Sequence, residues 1–298
     1  MEHRDWIEAV QRMQDYIEQH LQERITLKAL ARTAGYSPWH SAKIFKELTG
    51  KPPFEYIRSL RLTQAALQLR DDRDKVAEVA LDFVFDSHEG FTRAFRKEFG
   101  VGPMEYKKAA PPIYLFKPSP IRDTYYPELA KEKLDSPLRQ SYYVQVTDFP
   151  ARKLILKRGR GAEGYFQYVK EVGCDVLGLL CSVKEALYEP VGMWLPEYLR
   201  PEGTSVYVQG VEVPRQYDGI VPEGLEILDL PACKMLIFQG EPFEDVRFRE
   251  AVRNLQSVIR KYDPSAIGYE WADDAAPRFQ MEPQGYRGYI EARPVKPI

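Results

Sequence analysis

The sequence predicts a multidomain chain. An all-α domain with two tandem helix-turn-helix units spans 1–109, and an α+β domain with a pseudo-twofold antiparallel sheet spans 140–298. Three observations predict this. LKALARTAGYSPWHSAKIFKELTGKPPFEY (27–56) recurs as VAEVALDFVFDSHEGFTRAFRKEFGVGPMEY (76–106). DFPARKLIL (148–156) recurs as DLPACKMLI (229–237). Between the two repeats, AAPPIYLFKPSP carries Pro111, Pro112, Pro118 and Pro120, which cannot continue a helix and mark 110–139 as a Pro-rich linker.

Bulk properties set the frame. The chain has 298 residues, is 44% hydrophobic and 29% charged, and carries a formal net charge of −2. It is therefore globular and long enough for two domains, and it is not a basic nucleic-acid binder by composition. No apolar run approaches the ~18 residues of a membrane helix. MEHRDWIEAVQRM is charged and helical in pattern, unlike a signal peptide. Cys174, Cys181 and Cys233 fit no disulfide framework and no zinc spacing, which points to reduced thiols in a cytoplasmic protein. There is no GxSxG and no metal-spaced His/Cys cluster; the four histidines are His3, His20, His40 and His88.

In the first repeat, Ala31, Phe45, Gly50, Pro53 and Tyr56 stand opposite Ala80, Phe95, Gly100, Pro103 and Tyr106. Each copy reads as a short apolar helix, a tight turn and a second helix. Ser37 and Ser87 are N-caps, Pro38 sits at the first helical position, and Gly50 and Gly100 close the second helices. PFEYIRSLRLTQAALQLRDD between them reads as one long amphipathic spacer helix.

A helix-turn-helix presents its second helix to the DNA major groove, and two copies on one rigid helix suit two groove segments about 34 Å apart. The first reading helix points Ile44 and Phe45 inward and leaves Trp39, His40, Ala42, Lys43 and Lys46 outside. The second keeps Phe91, Phe95 and Phe99 inside and leaves His88, Glu89, Thr92, Arg93 and Arg96 outside. Arginine suits guanine or phosphate, and glutamate accepts from cytosine N4. The plain alternative is a helical bundle with ordinary charged faces; acids and bases nearly balance over 1–110, so bulk charge does not choose.

GYSPWHSAKIFKELTGKPPFEYIRSLRLTQAA followed by AEVALDFVFDSHEGFTRAFRKEFGVGPMEYKK resembles the AraC/XylS-type DNA-binding domain over its whole length. The resemblance implies reading positions at Trp39, Ala42 and Lys43, then at Glu89, Thr92 and Arg93. It also implies double-stranded operator or promoter DNA and RNA polymerase as partners. One position departs. Val84 stands where the family has glycine, so either the turn is built differently or this copy is strained.

In the second repeat, Asp148, Pro150, Ala151 and Lys153 match Asp229, Pro231, Ala232 and Lys234. Helix-like segments follow each copy (164–187 and 242–262). Strand pairs come next: VGMWLPEYL with SVYVQGVEV, then APRFQMEP with YRGYIEARP. Two such halves place their sheets side by side with helices on one face and a concave pocket on the other. Alternation assigns Ile290 and Ala292 to the helices, and Tyr289, Glu291 and Arg293 to the concave face. Phe279 and Met281 go to the core, opposite Arg278, Gln280 and Glu282. Gly210 is expected to mark a bulge that lets Tyr207, Gln209 and Glu212 share the concave face. Trp194, Trp271 and Tyr286 complete the candidate set, although any one aromatic is more often core than cage.

Residues 140–298 resemble the GyrI-like effector-binding domain through KMLIFQGEPFED, WLPEYLRPEGTSVYVQGVEVP and the terminal YIEARPVK. That family implies multidrug-type sensing of amphipathic or cationic small molecules by aromatics around one carboxylate. Its last strand places Glu four residues before the proline. Here Ile290 holds that position and Glu291 follows, so Glu291 and Glu282 both stand as candidates for the buried charge. No cofactor is expected. The chain is expected not to be an enzyme; the alternatives are a GyrI-like hydrolase with Glu291 or Glu282 as base and Tyr289 as acid, or a DNA-bending or recruiting scaffold with a vestigial pocket.

Overall fold

The structure, a computed structural model, describes residues 2–71, 75–125, 141–244 and 247–298. The chain divides into two units, Met1–Leu134 and Asp135–Ile298.

In the first unit, α1 (Glu2–Gln19) buries Ile7, Val10, Met13 and Ile17, the apolar stripe of one helical face. Thr26 caps α2 (Leu27–Ala34), and Gly35 ends it at φ 77°. Pro38 starts α3 (Pro38–Thr49), where the Ser37 hydroxyl accepts from His40 N–H, and Gly50 ends it at φ 76°. After α4 (Pro53–Asp71) the pattern repeats in α5 (Val76–Asp82) and α6 (His88–Phe99), capped by Ser87 and closed by Gly100 at φ 73°. α7 (Pro103–Ala109) follows.

α4 is not the amphipathic spacer that its pattern suggested. It buries Tyr56, Ile57 and Leu60 against α1–α3, and it goes on to bury Leu62, Ala65, Ala66 and Leu69. It serves two helix clusters, so its apolar residues encircle it. The second cluster is aromatic: Phe85, Phe91, Phe95, Phe99 and Tyr106 pack ring to ring at 4.8–5.6 Å.

Val84 answers the question raised by its sequence position. The Phe85 N–H bonds Ala80 O at 3.0 Å, just as Tyr36 N–H bonds Ala31 O at 3.2 Å after Gly35. Both turns are thus built alike, and Val84 takes φ 61°, a left-handed conformation that opposes a β-branched residue.

Residues 111–125 of the segment expected as a linker pack onto the helices; 126–139 lie outside the described residues. Ile113, Leu115 and Ile121 are buried, and Phe116 stacks edge-on against Tyr56 at 5.1 Å. The Gln14 carboxamide accepts from Ile121 N–H (2.9 Å) and donates to the Tyr56 hydroxyl (2.9 Å), while Thr63 accepts from Phe116 N–H (2.9 Å). Prolines keep 111–120 out of a helix but leave its apolar residues free to dock. A one-turn helix, α8 (Ile121–Thr124), ends it.

The second unit is an antiparallel sheet. Its strands are β1 (Tyr142–Phe149), β2 (Arg152–Arg158), β3 (Val191–Trp194), β4 (Tyr207–Pro214), β5 (Glu226–Leu230), β6 (Cys233–Gly240), β7 (Tyr269–Trp271), β8 (Arg278–Gln280) and β9 (Ile290–Pro297). The order is β1-β6-β9-β8-β3-β4-β2-β5, with β7 also paired to β9. Exchanging β1 with β5, β2 with β6, β3 with β8 and β4 with β9 maps this order onto itself. The pseudo-dyad passes through the pair Gly192–Gln280 at the β3/β8 junction. Each half lends its first strand to the other: β1 pairs with β6, and β5 pairs with β2.

α9 (Tyr165–Val172) and α10 (Asp175–Cys181) cover Ile155, Tyr207, Val211 and Val213, and α11 (Phe248–Lys261) covers Leu236, Phe238, Tyr289 and Val295. On the opposite face, Leu154, Leu156, Met193, Val208, Met235, Phe279 and Ala292 form a separate core under Leu195, Leu199 and Tyr188.

Two facing assignments are thereby corrected. Ala292 lies in the core away from the helices, and Ile290 shares its parity; Tyr289, Glu291 and Arg293 lie on the helix-bearing face. Both faces of the central sheet are buried, so apolar character does not tell which face carries helices. The expected bulge at Gly210 is absent as well: β4 pairs with β2 without interruption from Tyr207's neighbour Val208 to Pro214. Glycine is required there because a Cβ would stand 2.7 Å from Leu154 Cδ1 and 2.8 Å from Ile155 O. Without the bulge, Glu212 faces away from Tyr207 and Gln209.

Candidate functional site

Two sets of residues are candidates, one in each unit. The first is the pair of second helices. Trp39, at the start of α3, is 73% exposed. Lys43 follows one turn later, 5.7 Å over its ring, and also lies 3.8 Å from Glu47. Lys46 is exposed and Ala42 half-buried on the same helix. His40 stands apart from them. Its ring is half-buried against Tyr36 (4.8 Å) and Trp6 (5.5 Å), so it braces α3 on α1 rather than projecting with the lysines.

On α6, His88, Glu89, Arg93 and Arg96 are exposed and Thr92 is half-buried. Arg96 leans toward the next turn: a Cβ on Gly102 would lie 3.0 Å from its Nη2. The capping serines leave the first turns of both helices solvent-facing, with the positive end of the helix dipole available to a phosphate.

The second set gathers at the pseudo-dyad on the helix-bearing face. Gln280 lies on the axis. Its Nε2 donates to the Tyr207 hydroxyl at 3.0 Å, and its Oε1 lies 2.7 Å from the Tyr289 hydroxyl. Tyr207 and Tyr289 are dyad mates, so one carboxamide bridges a symmetric pair. Gly192, across from Gln280, makes room, since a Cβ there would stand 1.9 Å from the Tyr207 hydroxyl. The Tyr289 hydroxyl also lies 2.9 Å from Glu291 Oε2. Glu291 is 2% exposed, and its Oε1 faces Arg278 Nε at 3.6 Å. The Arg278 guanidinium lies 4.0 Å from the centre of the Trp194 ring, whose indole N–H donates to Glu163 O at 3.0 Å.

Burial raises the Tyr289 hydroxyl well above its ordinary pKa, and the Glu291 charge adds to the effect. Burial likewise raises Tyr207. Both tyrosines therefore remain protonated hydrogen-bonding groups at any physiological pH. Tyr289 also lines a cavity of about 950 Å³ between α11 (Ala251, Asn254, Leu255, Val258) and the edge formed by Ser141, Tyr142 and Gly240.

Of the candidate ligand residues, Trp194, Tyr207, Tyr289 and Glu291 come together, and Gln280 and Arg278 join them. The sequence grouped Gln280 and Arg278 with Tyr289 and Glu291 but on a face away from the helices; all four lie on the helix-bearing face, and the importance of Gln280 and Arg278 depends on the β3/β8 pairing between the halves. Glu212 is elsewhere. On the opposite face it is fully buried and ion-paired with Arg152, whose Nη1 also reaches Pro231 O at 3.2 Å. Glu282 is exposed, and its carbonyl accepts from Arg287. Tyr286 is 77% exposed. Trp271 packs with Phe238 and Tyr262 under Arg293. Among the described residues, no three His, Cys, Asp or Glu side chains cluster to hold a metal, and no helix is long and apolar enough to cross a membrane.

Residues 30–109 match the family described as "Helix-turn-helix domain". The chain is 39% identical over 95 residues to the transcriptional regulator Rob of Salmonella typhimurium; the match covers 32% of this chain and 33% of Rob, so it spans about a third of that relative. It is 32% identical over 98 residues to the regulatory protein SoxS of the same organism, covering 33% of this chain and 92% of SoxS. It is 40% identical over 93 residues to the transposon Tn10 TetD protein of Escherichia coli, covering 31% of this chain and 67% of TetD. Among solved structures, the DNA-binding domain of AdpA in complex with a target DNA is 27% identical, with a TM-score of 0.33 over 34% of this chain and 90% of that one. SAV2435 bound to tetraphenylphosphonium is 13% identical, with a TM-score of 0.37 over 52% of this chain and 94% of that one. Both TM-scores are too low to carry a structural conclusion.

Proposed function

This chain belongs to the AraC/XylS-type family of helix-turn-helix regulators, and we propose that it is a ligand-responsive, DNA-binding transcription regulator that is not itself an enzyme. In this proposal α3 and α6 read two adjacent major-groove segments of a promoter or operator. Trp39, Lys43 and Lys46 act from one helix, and Glu89, Thr92, Arg93 and Arg96 from the other. RNA polymerase is the protein partner, the cytoplasm the compartment, and an amphipathic small molecule the effector. The observation that carries DNA binding is the repetition itself: two capped second helices, each closed by a left-handed glycine, are fixed to the single helix α4. Effector sensing is supported by the buried Glu291 among Trp194, Tyr207 and Tyr289, beside the cavity that Tyr289 lines.

The test is Arg93→Ala in a binding titration against operator variants. Loss of one good base contact weakens specific binding by about 1–3 kcal/mol and relaxes specificity at one base pair. Unchanged affinity across all variants would remove Arg93 from the reading set.

A further inference from the structure

Glu291 is not an open anion waiting for a cation. The Tyr289 hydroxyl lies 2.9 Å from one of its oxygens, and Arg278 Nε faces the other at 3.6 Å. The same guanidinium lies 4.0 Å from the Trp194 ring centre. One side chain thus fills both roles a lipophilic cation would fill: positive partner to an aromatic face and counter-ion to a buried carboxylate. Trp271 is treated the same way. Arg293 lies 4.1 Å from its ring and is held on Asp273 by bonds of 2.7 and 2.5 Å. Both tryptophans of the candidate set are therefore covered by the chain's own arginines.

The pseudo-dyad sharpens this. Lys157 and Phe238 each lie four residues past the matched Lys153 and Lys234. They pair with Gln209 and Glu291, so these two are dyad mates. One half carries a carboxylate where the other carries a neutral amide. Arg278 then balances the carboxylate, and the pair brings no net charge to the site. What the centre offers is hydrogen bonding, from the chain Tyr207–Gln280–Tyr289.

We infer that Arg278 sets the charge selectivity of this site: as the resident cation on Glu291 and Trp194, it turns away lipophilic cations and leaves the site to uncharged amphipathic molecules with a hydrogen-bonding polar group. This rests on the effector-sensing proposal above. An incoming cation must either expel a guanidinium that is only 34% exposed or sit beside a like charge. A neutral molecule does neither.

The experiment uses two near-isosteric probes, methyltriphenylphosphonium and triphenylphosphine oxide. They are titrated calorimetrically into the full chain and into R278M, E291Q and R278M/E291Q. Wild type is expected to bind the neutral oxide at least about ten-fold more tightly than the phosphonium. R278M is expected to gain at least about ten-fold for the phosphonium, with little change for the oxide. The double variant, which removes both charges, loses that gain. R278Q removes the charge with a polar side chain and is expected to move in the same direction as R278M; it serves if R278M does not fold. Arg278 is overturned as the selector if wild type prefers the phosphonium, or if neither R278M nor R278Q binds it more tightly than wild type. If neither probe binds any of the proteins, effector sensing at this site is itself refuted.

Discussion

Replacing Gly35 with valine would give the first turn the residue that the second turn carries at Val84. Gly35 closes α2 at φ 77°, and a Cβ built there meets nothing within 4 Å. The substitution therefore introduces no clash, only a left-handed backbone. That conformation costs an L-residue about 1–2 kcal/mol, toward the upper end for a β-branched side chain. Stiffening the unfolded chain returns roughly 0.4–1 kcal/mol. The expected net loss is about 1 kcal/mol, or about a five-fold shift in the opening equilibrium. Because the chain has two units, a global unfolding midpoint does not isolate this turn, so the assay is hydrogen exchange. The Gly35 and Tyr36 amides, both bonded to Ala31 O, should exchange about five-fold faster, with the α6 amides unchanged. Unchanged protection would refute the claim that this turn demands a left-handed residue, and with it the claim that Val84 is strained. The mirror change, Val84→Gly, relieves the strain but forfeits about 0.5–1 kcal/mol of chain entropy and a half-buried isopropyl group, so it should fall within about 1 kcal/mol of wild type.

Two further outcomes follow from the sheet unit. Tyr207 and Tyr289 have folded pKa values raised by burial, so the folded state keeps protons that the unfolded state releases above about pH 10. Their stabilisation is complete below that pH and falls as pH rises through it. Urea titrations between pH 9 and 11 should show falling stability, and Tyr207→Phe should reduce the slope by up to about 1.4 kcal/mol per pH unit; an unchanged slope would contradict the burial assigned to Tyr207. The buried Arg152–Glu212 pair gives the other. Arg152→Leu or Glu212→Leu alone should cost about 3–5 kcal/mol by stranding a charge, whereas the double leucine variant should recover most of the loss. Equal losses in all three would mean that packing, not charge pairing, holds this place.

How far the sequence could be read follows from how local each signal is. The helix boundaries rest on residues beside them: Ser37 and Ser87 cap with their own hydroxyls, and Gly50 and Gly100 take positive φ, so each is visible in its own stretch. The all-α and α+β halves and the doubled sheet are legible for the same reason, through repeats. The errors lie where a distant partner decides. α4 looked amphipathic because its sequence does not reveal that two clusters embrace it. Ala292 looked helix-facing because nothing in YIEARP tells that the opposite face is buried too. Gly210 reads equally as a bulge or as a place where Leu154 and the Ile155 carbonyl come close, and only the unbroken β2–β4 register decides. Arg278 on Trp194, and Gln280 between two tyrosines, depend on the junction between β3 and β8, which lie far apart in sequence.

Whether one chain reads two adjacent groove segments is decided by selecting the full chain's preferred sites from random duplex DNA and footprinting the winner. The expected result is one enriched site with two protected major-groove segments about one helical turn apart, with contacts in one segment lost on Lys43→Ala and in the other on Arg93→Ala. Binding with no enriched sequence, or a footprint that loses both segments with either substitution, would contradict it.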